Sequence, residues 1–249
     1  MNFASLPAFA VAAVCAGLSV VAGTASAQSV PIPNNSFESP TVTFEQQASP
    51  FVDDWTNTGP VLSGGVNLNA GIFPNSPEGQ PGHIDNPDGN QIAYIGTQTG
   101  NELSQVLTST YQAGKAYALK VAVAKSLFFP PAPSTANPTG LDNLRLELFY
   151  VDGSNVRQPV TLLDIPNDIA NGLRDDHLKD FVTTSPILAA ADPAVGKSIG
   201  VLLTTVGDAG GFFDMDNVTV TAGVPEPATL GGLSLVGGLF ALRRRRRIA

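Results

Sequence analysis

Cysteine is almost absent from this chain of 249 residues. The one cysteine, Cys15, lies close to the N-terminus, so the remainder of the chain cannot form an internal disulfide. Disulfides are the usual reinforcement of small extracellular domains. The stability of this chain is therefore expected to come from a hydrophobic core, with a bound metal ion as a second source.

Basic residues are also scarce, because 13 Lys and Arg stand against 21 Asp and Glu, giving a formal net charge of -8. Five of the basic residues are consecutive arginines near the C-terminus, so the rest of the chain is more acidic than the total suggests. Nucleic acids and anionic membrane surfaces repel an acidic protein. We therefore expect no nucleic-acid partner.

Recognisable catalytic motifs are missing. The two histidines, His83 and His177, are far apart in sequence, and the chain has no H-E-x-x-H, G-x-S-x-G or P-loop motif. Both histidines are expected at the surface, and the protein is expected not to be an enzyme. A pair of carboxylates ~5–10 Å apart could still hydrolyse a glycosidic bond, but the sequence identifies no such pair. An extracellular hydrolase therefore stays open as an alternative.

The N-terminal segment, residues 1–27, contains no charged side chain. Its apolar stretch at 9–21 is followed by Ala25-Ser26-Ala27, the small-residue pattern at which signal peptidase cleaves. The sequence therefore predicts a signal peptide over 1–27 and a mature chain that starts at Gln28.

The C-terminal segment has three parts: a Pro-Glu-Pro motif, an apolar run at 228–242 and an arginine cluster. The residues concerned are Pro225, Glu226, Pro227, Arg243, Arg244, Arg245, Arg246 and Arg247. Arginine clusters stay on the cytoplasmic side of a membrane, so the chain before the apolar run is expected outside. The run of about 15 residues would form about 22 Å of helix, which is short beside a hydrocarbon core of roughly 30 Å.

This tail, VPEPATLGGLSLVGGLFALRRRRR, closely resembles the PEP-CTERM sorting signal of exported bacterial proteins. The resemblance implies that an exosortase-type membrane protease cuts near the Pro-Glu-Pro motif after transient insertion in the inner membrane. The protein would then reach the cell surface or the extracellular space. The implied organisation is a signal peptide (1–27), one domain (28–222) and a sorting tail (223–249).

The middle of the chain alternates between apolar and polar residues, which is typical of β-strands. At 117–124 the larger apolar side chains Tyr117, Leu119, Val121 and Val123 fall on one face. The other predicted strands are 91–96, 102–107, 144–151, 156–163, 198–205 and 212–221. Only 166–178 and 186–195 have a weakly helical composition. The spacing predicts an all-β sandwich.

Two predicted strands, 144–151 and 156–163, flank a turn sequence, Asp152-Gly153-Ser154-Asn155, and should form a hairpin. Pro159 has no backbone N–H to donate within the second strand. That strand is therefore expected at a sheet edge, or to contain a bulge.

Several short segments together resemble galactose-binding-like jelly-roll domains, the fold of many carbohydrate-binding modules. They are 32–38 (IPNNSFE), Trp55, 88–94 (DGNQIAY), 103–107 (LSQVL), 113–117 (AGKAY) and 213–220 (FDMDNVTV). The resemblance implies a jelly-roll β-sandwich that binds polysaccharide. It also implies a structural Ca²⁺ held by Glu38 and Asp216, which would tie the first strand to the last. An acidic strand end facing solvent is an equally good reading of those two residues.

Exposed aromatic side chains can cover a sugar ring, and the candidates are Trp55, Phe73, Phe128 and Phe129. Trp55 matches the buried tryptophan of the jelly-roll family, so core packing is favoured for it. The sequence as a whole predicts an exported, non-enzymatic surface or matrix protein that binds extracellular polysaccharide. The alternatives are the hydrolase above and a structural matrix protein with no specific ligand.

Overall fold

The computed structural model describes residues 27–59, 69–98, 100–126, 143–166, 171–207 and 212–223, which fall in one compact unit. They form eleven strands: β1 Gln28–Val30, β2 Thr56–Thr58, β3 Ala70–Pro74, β4 Gln91–Gly96, β5 Glu102–Thr110, β6 Ala116–Lys125, β7 Asn143–Val151, β8 Arg157–Pro166, β9 Lys179–Thr184, β10 Ser198–Val206 and β11 Phe212–Gly223. All the expected strands are present, and the one expected from Val156 begins one residue later, at Arg157.

The strands build two antiparallel sheets. The first has the order β3-β4-β11-β6-β9, with β1 added beside β11, and the second has the order β2-β5-β10-β7-β8. Each sheet mixes strands from distant parts of the chain, so the core closes only when the whole domain folds. The predicted all-β, jelly-roll sandwich is confirmed.

The core lies between the sheets because strand alternation turns one face of each sheet inward. On β6, Tyr117, Leu119, Val121 and Val123 are buried in this core, as the alternation predicted. The side chains on the opposite face of β6 therefore point to the outer side of the first sheet.

The hairpin of β7 and β8 is confirmed, including the effect of its proline. The register of the pair shifts between Leu148 and Phe149, where Phe149 faces Pro159, and β8 is the edge strand of its sheet. In the turn, Asp152 Oδ1 accepts backbone N–H groups from Ser154 and Val156 at 2.8 and 3.0 Å.

Of the two weakly helical segments, 186–195 forms no helix, and in 166–178 the only helical residue that the structure describes is Asn171, in a 3₁₀ turn. Pro166 ends β8, and the chain around 192 forms turns. Asp192 Oδ1 accepts the backbone N–H of Ala194 at 2.9 Å, which favours a turn over a continuing helix.

The predicted signal peptide and sorting tail lie almost wholly outside the described residues, as do Phe128 and Phe129. Within the described part of the chain, no helix has the length and apolar character needed to cross a membrane.

Candidate active site

The outer face of the first sheet bears an acidic side chain at its centre. In β11, Phe213 and Met215 point into the core, so Asp214 between them points outward. Asp214 lies opposite Tyr94 of β4 on one side and Ala124 of β6 on the other. The carboxyl group is thus fixed on a central strand with paired neighbours on both sides.

A cavity of about 560 Å³ opens over this part of the sheet. Its lining is Phe44, Gln47, Ala48, Phe73, Pro74, Ser76, Tyr94, Ser126, Phe212 and Asp214. The volume is within the range of small-molecule sites, which are mostly apolar with a few converging polar groups. The cavity therefore suits an apolar molecule that contacts the Asp214 carboxyl group.

Three aromatic rings form a row along the cavity. The Tyr94 ring lies 5.8 Å from that of Phe212 in an edge-on arrangement and 6.2 Å from that of Phe73. Gly71 makes room for this row, because a Cβ atom there would lie 2.8 Å from the Tyr94 hydroxyl and would overlap the backbone of Ser49. Aromatic faces attract cations, so the row suits a substrate that develops positive charge.

Asp214 is only 2 % exposed, and its Oδ1 has no hydrogen-bond partner among the described residues. Burial raises the pKa of this carboxyl to about 8, although a hydrogen bond with the Ser126 side chain opposes the shift. A carboxyl group in such surroundings keeps its proton near neutral pH. It can therefore donate that proton to a bound molecule.

The two histidines, distant in sequence, meet at Asp85. His83 Nε2 lies 3.2 Å from Asp85 Oδ1, and His177 Nδ1 lies 4.0 Å from Asp85 Oδ2. His83 Nδ1 also lies 2.6 Å from the backbone oxygen of Ser76 at the cavity lining. The cluster joins two loops at the outer side of the first sheet.

The expected calcium ligands, Glu38 and Asp216, do converge on one loop. Asp216 Oδ2 accepts the backbone N–H of Asp88 at 2.5 Å. Glu38 Oε1 accepts those of Asn90 and Gln91 at 2.8 and 2.7 Å. Among the described residues, however, no group of three or more His, Cys, Asp or Glu is placed to hold a metal ion.

The aromatic candidates have different surroundings. Trp55 is buried against Phe37, and its Nε1 donates to the backbone oxygen of Asn34 at 3.1 Å, which confirms core packing. Phe73 lines the cavity instead of forming an exposed platform.

A buried acid beside an apolar cavity is more typical of an enzyme that acts on a small molecule than of a module that binds ligands at its surface. The family comparison agrees: residues 28–221 match the HpiC1-like family, described as HpiC1 cyclase. The chain belongs to this family.

Solved structures support the fold. A Stig cyclase, Fisc from Fischerella sp. TAU, in complex with (3Z)-3-(1-methyl-2-pyrrolidinylidene)-3H-indole, has 22% identity and a TM-score of 0.58. The alignment covers 79% of this chain and 98% of that one. A cyclase from the same organism in complex with 4-(1H-indol-3-yl)butan-2-one has 21% identity and a TM-score of 0.58, with 78% and 97% covered. No curated protein matches.

These findings correct the functional expectations. The family is one of cyclases, so a non-enzymatic role in polysaccharide binding is wrong, and the alternatives of a hydrolase or a ligand-free matrix protein receive no support. The recognition as a PEP-CTERM protein with a carbohydrate-binding-like domain is also wrong, because the family matched over 28–221 is not a sorting-domain family.

Sequence reasoning did not predict the cavity formed by Tyr94, Phe212 and Asp214, and it offered Asp214 only as a further candidate oxygen ligand of the calcium ion. Asp214 lies within the 213–220 segment, which indicated the fold but no catalytic role. The available signal was weak: an aspartate flanked by Phe212, Phe213 and Met215. An acid in such an apolar run is unusual for a solvent-facing position.

Proposed function

We propose that this chain is an enzyme that cyclises an apolar substrate, with Asp214 as the proton donor. The observation behind the proposal is the Asp214 carboxyl, which is buried beside an aromatic cavity and has one oxygen without a hydrogen-bond partner in the described structure. Membership of the HpiC1-like cyclase family supports the reaction class.

The chemistry needs only groups that the cavity supplies. Asp214 transfers its proton to a double bond of the substrate and leaves a cationic carbon. A second double bond of the same molecule attacks that carbon, and the new C–C bond closes a ring. Loss of a proton to the Asp214 carboxylate restores the acid and gives a neutral product. Substrate and product are isomers, so no co-reactant is consumed.

The cavity walls suit this cationic stage. The faces of Phe73, Tyr94 and Phe212 can stabilise positive charge, and the apolar lining keeps out water that would trap the cation. Proton donation by a positioned acid contributes typically 10²–10⁴-fold to a rate. Among the described residues that line the cavity, Asp214 is the only acidic one, so we assign that contribution to it.

The test uses apolar aromatic compounds with a pendant alkene, indoles included, and detects cyclisation as an isomer of unchanged mass. Asp214→Asn keeps the size of the side chain and removes the acidic proton, so turnover should fall at least ~100-fold. Asp164→Asn, which changes a paired acid on the other sheet, should keep full turnover. Unchanged turnover in Asp214→Asn would refute the assignment.

We also propose a structural calcium ion held by Glu38 and Asp216. Burial is the main reason that the pKa of Asp216 rises to about 7, and the negative charges of Asp88 and Glu38 add to the shift. A divalent cation would offset this accumulated charge, and backbone carbonyls would complete the six to eight oxygens that Ca²⁺ needs. The ion would connect the first and last parts of the domain.

Calcium at ~100 times its Kd should stabilise the fold by about 2.7 kcal/mol. Thermal unfolding with calcium and with excess chelator measures this, and Glu38→Gln should abolish the difference. Glu45→Gln, on an exposed turn, is the matched control and should keep it. If the melting temperature of the wild type is the same with calcium and with chelator, the proposed calcium site is contradicted.

Export stays a proposal that depends on the composition of residues 1–27. The mature N-terminus of the protein recovered from its own host should be Gln28, as N-terminal sequencing can determine. A protein that retains residues 1–27 would contradict export by this route.

A further inference from the structure

A short segment beside the cavity, residues 43–48, is held at its two ends. The backbone N–H of Val42 donates to Gln91 Oε1, and Ser49 exchanges two backbone hydrogen bonds with Ile72, each 2.8 Å long. Between these points, all hydrogen bonds that the segment makes within the described structure are internal to it. The 43–48 segment can therefore shift without breaking a bond to the sheets.

Phe44 is the large apolar side chain of this segment. It is 56% exposed, yet it lines the cavity together with Gln47 and Ala48. An aromatic side chain that is half in water gains free energy when an apolar molecule covers it. Closure of Phe44 over a bound apolar ligand is therefore favourable.

The other aromatic residues of the cavity have no such freedom. Phe73, Tyr94 and Phe212 belong to β3, β4 and β11, which pair with one another as neighbours in the first sheet. Among the described residues, the cavity therefore combines three rings fixed by strand pairing with one ring, Phe44, on a segment that is hydrogen-bonded to the sheets only at its ends.

We propose that Phe44 is a specificity-determining residue that closes over an apolar aromatic substrate and shields the Asp214 carboxyl from water. The inference rests on the proposed function, since it concerns the same cavity. It adds a moving part of the site and the residue that discriminates between substrates. Phe44 and the fixed row line the same cavity, so a flat aromatic molecule bound there can contact both, whereas a polar or strongly branched one would lose part of that contact.

The first measurement is binding of 4-(1H-indol-3-yl)butan-2-one, a ligand of a structural relative, to the full chain by titration calorimetry. Phe44→Ala should weaken binding about tenfold, and Phe44→Trp should keep it within about threefold. The matched control is Phe51→Ala, because Phe51 is 66% exposed and does not line the cavity. It should change the Kd less than about twofold.

The second measurement is hydrogen exchange of the backbone amides in the 43–48 segment. The probe should slow their exchange in the wild type and leave it unchanged in Phe44→Ala. Thermal unfolding of both variants should match the wild type, because an exposed ring contributes little to the core.

The two proposals fail separately. Asp214→Asn should still bind the probe and protect the 43–48 segment from exchange. Loss of turnover with intact binding in this variant therefore tests the proton donor alone and leaves the role of Phe44 unaffected. Equal Kd values for the wild type and Phe44→Ala, or a wild type that does not bind the probe at all, would overturn the role of Phe44.

Discussion

The outer faces of the two sheets hold strand carboxylates in opposite surroundings. On the first sheet, Asp214 lies among aromatic rings, and burial raises its pKa to about 8. On the second sheet, Glu102 and Asp164 each pair with an arginine, and the pKa of each is lowered. Burial thus favours the protonated form of Asp214, whereas the arginine partners favour the anionic form of Glu102 and Asp164.

The paired face shows how much a partner matters. The pKa of Asp164 falls mainly because of its hydrogen bonds with Arg145, which are 2.7 and 2.9 Å long. Burial is the largest effect on Glu102 and raises its pKa, but hydrogen bonds from Arg157 and Thr58 outweigh it. For Glu147, burial prevails over the nearby Arg145 and Arg157, so its pKa rises.

The difference between Asp214 and the two arginine-paired acids shows that neighbouring groups decide whether a carboxyl group in this protein is protonated or anionic. A carboxylate with a guanidinium partner is held as an anion and contributes to structure. A buried carboxyl without a cation keeps its proton and becomes available for chemistry. The predictions below interchange or remove these neighbours.

The largest effect should follow from giving Asp214 a cation. Phe212 and Asp214 are two residues apart on one face of β11, so Phe212→Arg should place a guanidinium beside the carboxyl. The anion is then favoured, and turnover should fall about 100-fold or more because the proton donor is lost. Phe212→Leu keeps the cavity apolar and should cost far less. Equal turnover in the two variants would contradict the role of a protonated Asp214.

The next prediction tests whether the outer face of the second sheet, where Glu102 and Asp164 pair with arginines, has only a structural role. Gly200 lies under the Phe149 ring, and a Cβ atom there would overlap it. Gly200→Ala should therefore lower the free energy of unfolding by about 2 kcal/mol and leave turnover unchanged. Urea denaturation measures the loss, and Gly153→Ala, which meets nothing within 4 Å, should cost much less. A drop in turnover of the folded Gly200→Ala protein would tie this face to catalysis.

Much of the fold could be predicted from sequence because it depends on local periodicity. The alternation at Tyr117 to Val123 identified the inward face of β6, and Pro159 indicated an edge strand with an irregular register. The weakly helical segment at 186–195 was misjudged because its composition does not show how Asp192 fixes a turn.

The candidate site could be predicted only in small part. Asp214 is a candidate site residue because Tyr94 and Ala124, distant in sequence, lie beside it in the sheet. That pairing depends on the order of strands, which alternation does not give. The absence of familiar motifs led to the wrong expectation of a protein without enzymatic activity, because a proton donor needs surroundings and not a sequence signature.

A smaller effect separates the two contacts of Arg157. Its guanidinium pairs with Glu102 and also lies 5.2 Å from the centre of the Phe149 ring. Arg157→Gln should lower the free energy of unfolding by about 1 kcal/mol at pH 7. The lowered pKa of Glu102 stabilises the fold above its usual value of 4.5, and this part is lost as pH falls through the folded pKa. Urea denaturation at about pH 3 should therefore show a smaller deficit, with the ring contact remaining. The same deficit at both pH values would assign it all to the ring.

The smallest effect compares two partly exposed ion pairs of different geometry. Arg145 donates two hydrogen bonds to Asp164, whereas Lys120 donates one of 3.0 Å to Asp180. Asp164→Asn should lower the free energy of unfolding by about 0.5 kcal/mol at pH 7, and Asp180→Asn by less. The pKa of Asp164 is lowered, so its contribution is present above the ordinary pKa of 3.8 and disappears as the carboxylate is protonated below it. Equal losses at pH 7 would mean that the two hydrogen bonds of the arginine add nothing beyond the single hydrogen bond of the lysine, and that charge alone accounts for both pairs.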